Sequence, residues 1–127
     1  MEPICLAVAA AMSRKAEELQ VLHLGEVSDF TEHFLICNGN NDRQVQAIAE
    51  AIQRTLREHG LRPLHVEGAN QGRWVLLDYG GEMVIHVFND ESRRFYALER
   101  LWADAPEVTE HYVGLADAHG ATVPASP

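Results

Sequence analysis

The hydrophobic spacing changes period several times along the chain, and each change marks an element. Over residues 3–20, Leu6, Ala9, Met12 and Ala16 fall on one side of a helix behind Pro3, which suits a first helical turn. Residues 21–24 read as a short strand and residues 26–31 as a polar turn. Residues 33–38 form an apolar run too short for a helix, which predicts a buried strand. The turn cluster from Asn38 to Asp42 leads into a second helix over 42–59, with Val45, Ile48, Ala49, Ile52 and Leu56 as its buried stripe. Asn40 or Asn41 caps its start, Gly60 supplies the left-handed residue at its end, and Pro63 forbids continuation. A third short strand over 64–66 and a loop over 68–72 follow. Residues 73–79 and 82–88 flank Gly80-Gly81, a two-residue hairpin signal. Asn89 or Asp90 caps a third helix that runs to about Ala103, with Phe95, Leu98, Leu101 and Trp102 on its apolar face. Helix, two strands, helix, three strands, helix predicts an α/β (α+β) domain with a mixed sheet of about five strands and three main helices.

Length and charge narrow the classes. A chain of 127 residues, 46% of them hydrophobic, makes one domain and buries roughly two thirds of its unfolded surface. We expect that domain over residues 1–105. Residues 106–127 hold three acids and no Lys or Arg, which predicts an acidic, mobile C-terminal tail; Val108, Tyr112 and Leu115 are placed to make a short docked helix. The formal charge is -9. Phosphate backbones attract Lys and Arg, so direct nucleic-acid binding is not expected, whereas a basic protein surface is the natural complement. No apolar segment is long enough to span a membrane, and the run over residues 4–12 lacks the basic flank of a secretory signal, so a cytoplasmic protein is expected. Cys5 and Cys37 read as buried free thiols.

Little in the chain looks catalytic. The turn from Asn38 to Asp42 opens a helix where an anion could sit, but it lacks the glycines of a dinucleotide site and the Lys of a P-loop. His23, His33, His65 and His86 could lie on neighbouring strands, yet none has a metal-ligand spacing. His86 stands out because it interrupts an apolar strand. Asp78 is the one carboxylate inside a hydrophobic strand, and it reads either as a strand-end acid bonded to backbone amides or as an acceptor for a partner's Arg or Lys. No Ser, Thr or Cys has an identifiable base.

The hairpin region concentrates both tryptophans, two of the three tyrosines and two of the four phenylalanines. A two-residue turn sets Tyr79 opposite Glu82, Leu77 opposite Val84 and Val75 opposite His86. It also puts Trp74, Leu76, Asp78, Met83, Ile85 and Val87 on the other face. Both faces are rich in large apolar groups. If the helices cover only one of them, the other is a docking surface.

The blocks EVSDFTEHFLICNGNNDRQVQAIAEAI, LRPLHVEG, GRWVLLDYG, VIHVF and RRFYALERLWADA closely resemble the Iojap family, the bacterial ribosomal silencing factors. The likeness spans about residues 10–105; the turn at Asn38-Gly39-Asn40-Asn41 departs from the family's usual Ser-Gly-Thr. It implies a nucleotidyltransferase-like domain without transferase activity, needing no cofactor. Consistent with that, Asp42 and Asp78 stand alone where an active enzyme pairs its acids. The resemblance also implies binding to the large ribosomal subunit through a basic interface protein, the fourteenth of the large-subunit series. Small-subunit joining would then be blocked and translation repressed, with a role in late large-subunit assembly and a homodimer when free. We take Trp74, Leu76 and Asp78 as the centre of the contact, with Met83, Ile85, Asp90 and Glu91 as neighbours. Tyr79, His86, Phe88, Arg94 and Tyr96 serve either the partner or the strand-helix junction. The alternatives are a nucleotide-binding or residual nucleotidyltransferase domain working through Asp42 and Asp78, and a homodimeric structural module.

Overall fold

Two parallel strands, buried along nearly their whole length, organise the molecule. A computed structural model describes residues 2–118. Their order is α1 (Pro3–Ser13), β1 (Glu17–His23), β2 (His33–Gly39), α2 (Asp42–Glu58), β3 (His65–Glu67), β4 (Trp74–Asp78), β5 (Met83–Asn89), α3 (Asp90–Tyr96), α4 (Leu98–Leu101) and α5 (Thr109–Ala118). The sheet runs β1-β2-β5-β4-β3. β2 and β5 pair in parallel, from His33 beside Met83 to Gly39 beside Asn89, and the other three pairings are antiparallel. This is the mixed five-stranded α+β sheet that the sequence predicts. Its central pair reads as largely apolar runs, and the residues of both strands are almost all buried.

One face of the sheet is sealed. Leu35, Cys37, Val75, Leu77, Met83, Ile85 and Val87 point into a core completed by α1, α2 and α5. α1 packs against both α2 and α5, and therefore buries seven of its eleven residues. The other face carries a smaller cluster of Leu22, Leu24, Phe34, Ile36, Val84, Phe88 and Ala105, edged by half-buried Trp74, Leu76, Leu98 and Trp102. Cys5 and Cys37 are both free and buried. No helix among the described residues is long and apolar enough to cross a membrane.

The caps of α2 are where the sequence puts them. Asn41 Oδ1 accepts the Gln44 amide N–H at 2.8 Å, and Gln44 Oε1 accepts that of Asn40 at 2.7 Å. Gly60 closes the helix at φ +86°, a conformation open to glycine and strained for other residues.

Three segments differ from expectation. α1 stops at Ser13 instead of running to residue 20. Lys15 turns left-handed at φ +61°, and Gln44 Nε2 donates to the Arg14 and Lys15 carbonyls at 3.3 and 3.2 Å. Residues 17–20 become strand because β2 needs a neighbour on its outer edge. The third helix breaks at Ala97, also left-handed at φ +45°. Leu98 and Trp102 still reach the smaller cluster, whereas Phe95 and Leu101 are exposed. Finally, the stretch expected as a mobile tail holds α5, the short docked helix for which Val108, Tyr112 and Leu115 are placed. Its approach is fixed by Val108 N–H donating to the Val21 carbonyl and by Thr109 Oγ1 accepting the Val21 N–H. Tyr112 and Ala116 then join the sealed core. The rest of the expected tail, residues 119–127, lies outside the described residues.

Candidate functional site

The hairpin turn is one residue longer than Gly80-Gly81 suggests. Tyr79 N–H donates to the Met83 carbonyl, leaving Gly80, Gly81 and Glu82 as a three-residue loop with Gly80 at φ +70°. The register shifts with it. Trp74 pairs with Phe88, Leu76 with His86, Leu77 with Ile85 and Asp78 with Val84. Because side chains alternate, a slip of one residue moves every partner to the opposite face. Met83, Ile85 and Val87 therefore do not share a face with Trp74, Leu76 and Asp78. Met83 and Ile85, expected as contact neighbours, are wholly buried in the sealed core and can touch no partner. Tyr79 is likewise turned into that core, where burial raises its hydroxyl to about 12. His86 and Phe88 take their places beside Trp74.

The resulting face is half covered. α3, α4 and the segment up to Ala105 lie over one part of it. The remainder is a groove walled by Phe30, Phe34, Leu64, Leu76, Val84 and His86, with Asp78 and Gly80 at its end. Phe30 is 52% exposed and Leu64 77% exposed, while Trp74, Leu76 and Asp78 are each half-buried. Aromatic rings pack against one another along this face of the sheet. Trp74 lies 5.0 Å from Phe88 and 4.5 Å from Tyr96, Phe34 lies 4.7 Å from His86, and Trp102 packs on both Phe30 and Phe34. Trp74 Nε1–H donates to His86 Nδ1 at 3.2 Å. Burial pushes the His86 imidazole down to about 4, so it is neutral near pH 7. Asp78 Oδ1 accepts the Gly80 N–H at 2.8 Å; this is the strand-end arrangement, and an ionised carboxylate can accept at both of its oxygens.

The remaining expected residues separate into two groups. Glu91 and Tyr96 line an open cleft beside Trp74, together with Asp42, Arg73 and Phe95. Asp90 and Arg94 pair with each other at 3.1 Å, and Arg94 also reaches Glu18 at 2.9 Å, which places Arg94 at the junction. That Arg94 hydrogen bond holds the Glu18 carboxyl below its ordinary range. Beside it, Arg93 is almost fully buried. Its Nη1 donates to the Glu18 carbonyl at 2.6 Å and to Asn38 Oδ1 at 2.9 Å, and its Nη2 donates to Gln20 Oε1 at 2.8 Å. Arg93 thus ties α3 to β1 and β2 across the bulge at Glu18, which has φ +49°. Sequence reasoning missed Arg93, Phe30, Phe34 and Leu64. The one hint was Asn38, a polar residue ending an apolar strand.

Asp42 and Asp78 cannot form an acid pair. Asp42 follows the carboxyl end of β2, whereas Asp78 pairs with Val84 near the opposite end of β5. The five strand positions from Val84 to Asn89 put them roughly 16 Å apart along the sheet. Two of the histidines, His23 and His33, meet across β1 and β2 with ring centroids 5.2 Å apart. His23 pairs with Glu32 and His65 with Glu67, both at 2.6 Å. Among the described residues no three His, Cys, Asp or Glu are placed to hold a metal ion.

The profile of the family described as "Ribosomal silencing factor during starvation" (RsfS) matches residues 2–125. The chain belongs to the RsfS family. It is 44% identical to the ribosomal silencing factor RsfS of Halalkalibacterium halodurans over 107 residues, which covers 84% of this chain and 91% of that one. The RsfS of Bacillus subtilis is also 44% identical, over 101 residues, covering 80% and 85%. A crystal structure from Chromobacterium violaceum has the same fold at 31% identity and a TM-score of 0.77, covering 81% of this chain and 88% of the other. RsfS proteins are regulatory factors rather than enzymes. In this RsfS chain the half-covered sheet face, not a catalytic cleft, is therefore the site to explain.

Proposed function

We propose that the protein represses translation by occupying a surface. Its open sheet face docks on a basic protein of the large ribosomal subunit at the subunit interface, the fourteenth of that series, and its bulk then blocks the small subunit. The observation that carries this reading is the half-buried row Trp74, Leu76 and Asp78 beside exposed Phe30 and Leu64 on a chain of charge -9. Large aromatic and aliphatic groups anchor protein interfaces, and Asp78 supplies a charge-assisted bond to Lys or Arg. The acidic balance turns the protein away from bare ribosomal RNA and towards a basic protein. At the start of α3, Glu91 lines the cleft beside Trp74, and Asp90 and Glu91 lie with Asp42 on the adjoining surface. The same face pairs two free copies as a homodimer that gives way to the ribosomal partner.

Co-sedimentation with isolated large and small subunits, followed by a subunit-joining assay, tests this. Pelleting with the large subunit alone, together with suppressed joining, is the expected result. Trp74→Ala and Asp78→Ala should each weaken pelleting. If both variants fold and bind within twofold of wild type, the docking face lies elsewhere.

A further inference from the structure

We propose that His86 is a positioning residue: its imidazole fixes the Trp74 indole in the orientation that the docked partner meets. This rests on reading the open face as the docking surface. His86 stands in mid-strand between Ile85 and Val87 and is 4% exposed. Its Nδ1 accepts the indole N–H of Trp74 at 3.2 Å. An indole nitrogen only donates, so Nδ1 carries no hydrogen and Nε2 must carry it. That Nε2–H is buried and meets no hydrogen-bond acceptor among the described residues. A buried donor left unpaired weakens a fold, and an aliphatic residue at this position would avoid the cost. Among the described residues, the polar contact that the imidazole makes in exchange is the bond to Trp74.

That bond does what the ring contacts cannot. Phe88 at 5.0 Å and Tyr96 at 4.5 Å offer the Trp74 ring apolar surfaces, which accept an indole in either flipped orientation. A directional hydrogen bond from Nε1 selects one of them. Trp74 is half-buried, so the selected ring still presents surface to a partner. Burial keeps the imidazole neutral near pH 7, and hence able to accept. Presetting the orientation of a large anchor before association spares its ordering on binding, which is worth roughly three- to tenfold in affinity.

The test is a double-mutant cycle on binding of the full chain to isolated large subunits. His86→Phe should weaken binding roughly three- to tenfold. His86→Gln, whose amide oxygen can accept the indole N–H, should stay within about twofold of wild type. In a Trp74→Phe background, which lacks the donor, His86→Phe should have no further effect. An equal loss in both backgrounds would show that the imidazole serves packing alone and would overturn the proposal. If His86→Phe does not fold, Trp74→Phe carries the test by itself, and unchanged affinity overturns it. The free protein gives a separate readout in the Trp74 indole N–H resonance. It should shift and exchange faster with solvent in His86→Phe and not in His86→Gln; an unmoved resonance overturns the hydrogen bond itself. Wild-type protein that does not bind large subunits, with the resonance behaving as expected, would instead remove the docking reading and the role assigned through it.

Discussion

Leu77 and Ile85 pair across the hairpin on one face of the sheet, and Leu76 and His86 pair one residue away on the other. The first pair is fully buried in the core that α1, α2 and α5 complete. The second sits in the wall of a half-open groove. The same two strands thus serve two purposes, separated by nothing more than side-chain alternation. On the sealed face each side chain is chosen for volume, and a change there is felt as stability. On the open face the apolar area exceeds what the fold itself covers, and the excess is available to a partner.

Several substitutions would break or sharpen this contrast. Ile85→Ala should have the largest effect, a loss of about 2–5 kcal/mol in urea denaturation, because it leaves a cavity in a packed core. The variant molecules that remain folded should bind large subunits as wild type does; a disproportionate loss of binding would mean the faces are not independent. Acidification comes next. His86 is held at about 4 by burial, well below the ordinary value of about 6.5 for an unfolded chain. The unfolded state takes up its proton first, so His86 contributes stability above pH 6.5 that is lost as pH falls towards 4, by about 3 kcal/mol in all. His33 is lowered by burial in the same direction. Thermal melts between pH 7.5 and 4 should show the decline, and His86→Phe should make it shallower. Trp74→Ala should weaken large-subunit binding by about 30-fold, or about 2 kcal/mol, while lowering the melting temperature less than Ile85→Ala does. The smallest effect is expected at Ala97. A left-handed alanine costs about 1–2 kcal/mol, partly offset in glycine by its freer unfolded chain. Ala97→Gly should therefore raise stability by less than about 1 kcal/mol, and a lower melting temperature would show that the break is not strained.

The sequence was most legible where local chemistry decides the structure. The Asn41 cap, the Gly60 terminator and the Asn89 cap on Ser92 each follow from a few adjacent residues. The row Trp74, Leu76 and Asp78 was legible as one face of a strand. It failed where a distant partner decides. Residues 17–20 look helical alone and become strand only because β2 lies beside them. The double glycine of the hairpin promised a two-residue turn; the added residue Glu82 reversed which face Met83, Ile85 and His86 occupy. The groove is assembled from Phe30, Leu64 and Leu76, which come from three separate segments. Local spacing holds no record of that meeting. Arg93 and Arg94 are adjacent and chemically alike, and only the position of β1 makes one a buried tie and the other a surface ion pair.

The packing of α5 against α1 has a consequence in time. Ile4, Ala7 and Val8 share their core with Tyr112 and Ala116, so the first and last described helices meet only after about a hundred intervening residues have closed into a loop. Contacts of such long range form late and slowly. Before the chain has reached Ala116, α1 can pack on α2 and the sheet, but the side that α5 covers stays open. The side of α1 that α5 covers is therefore the last part of the sealed core to close.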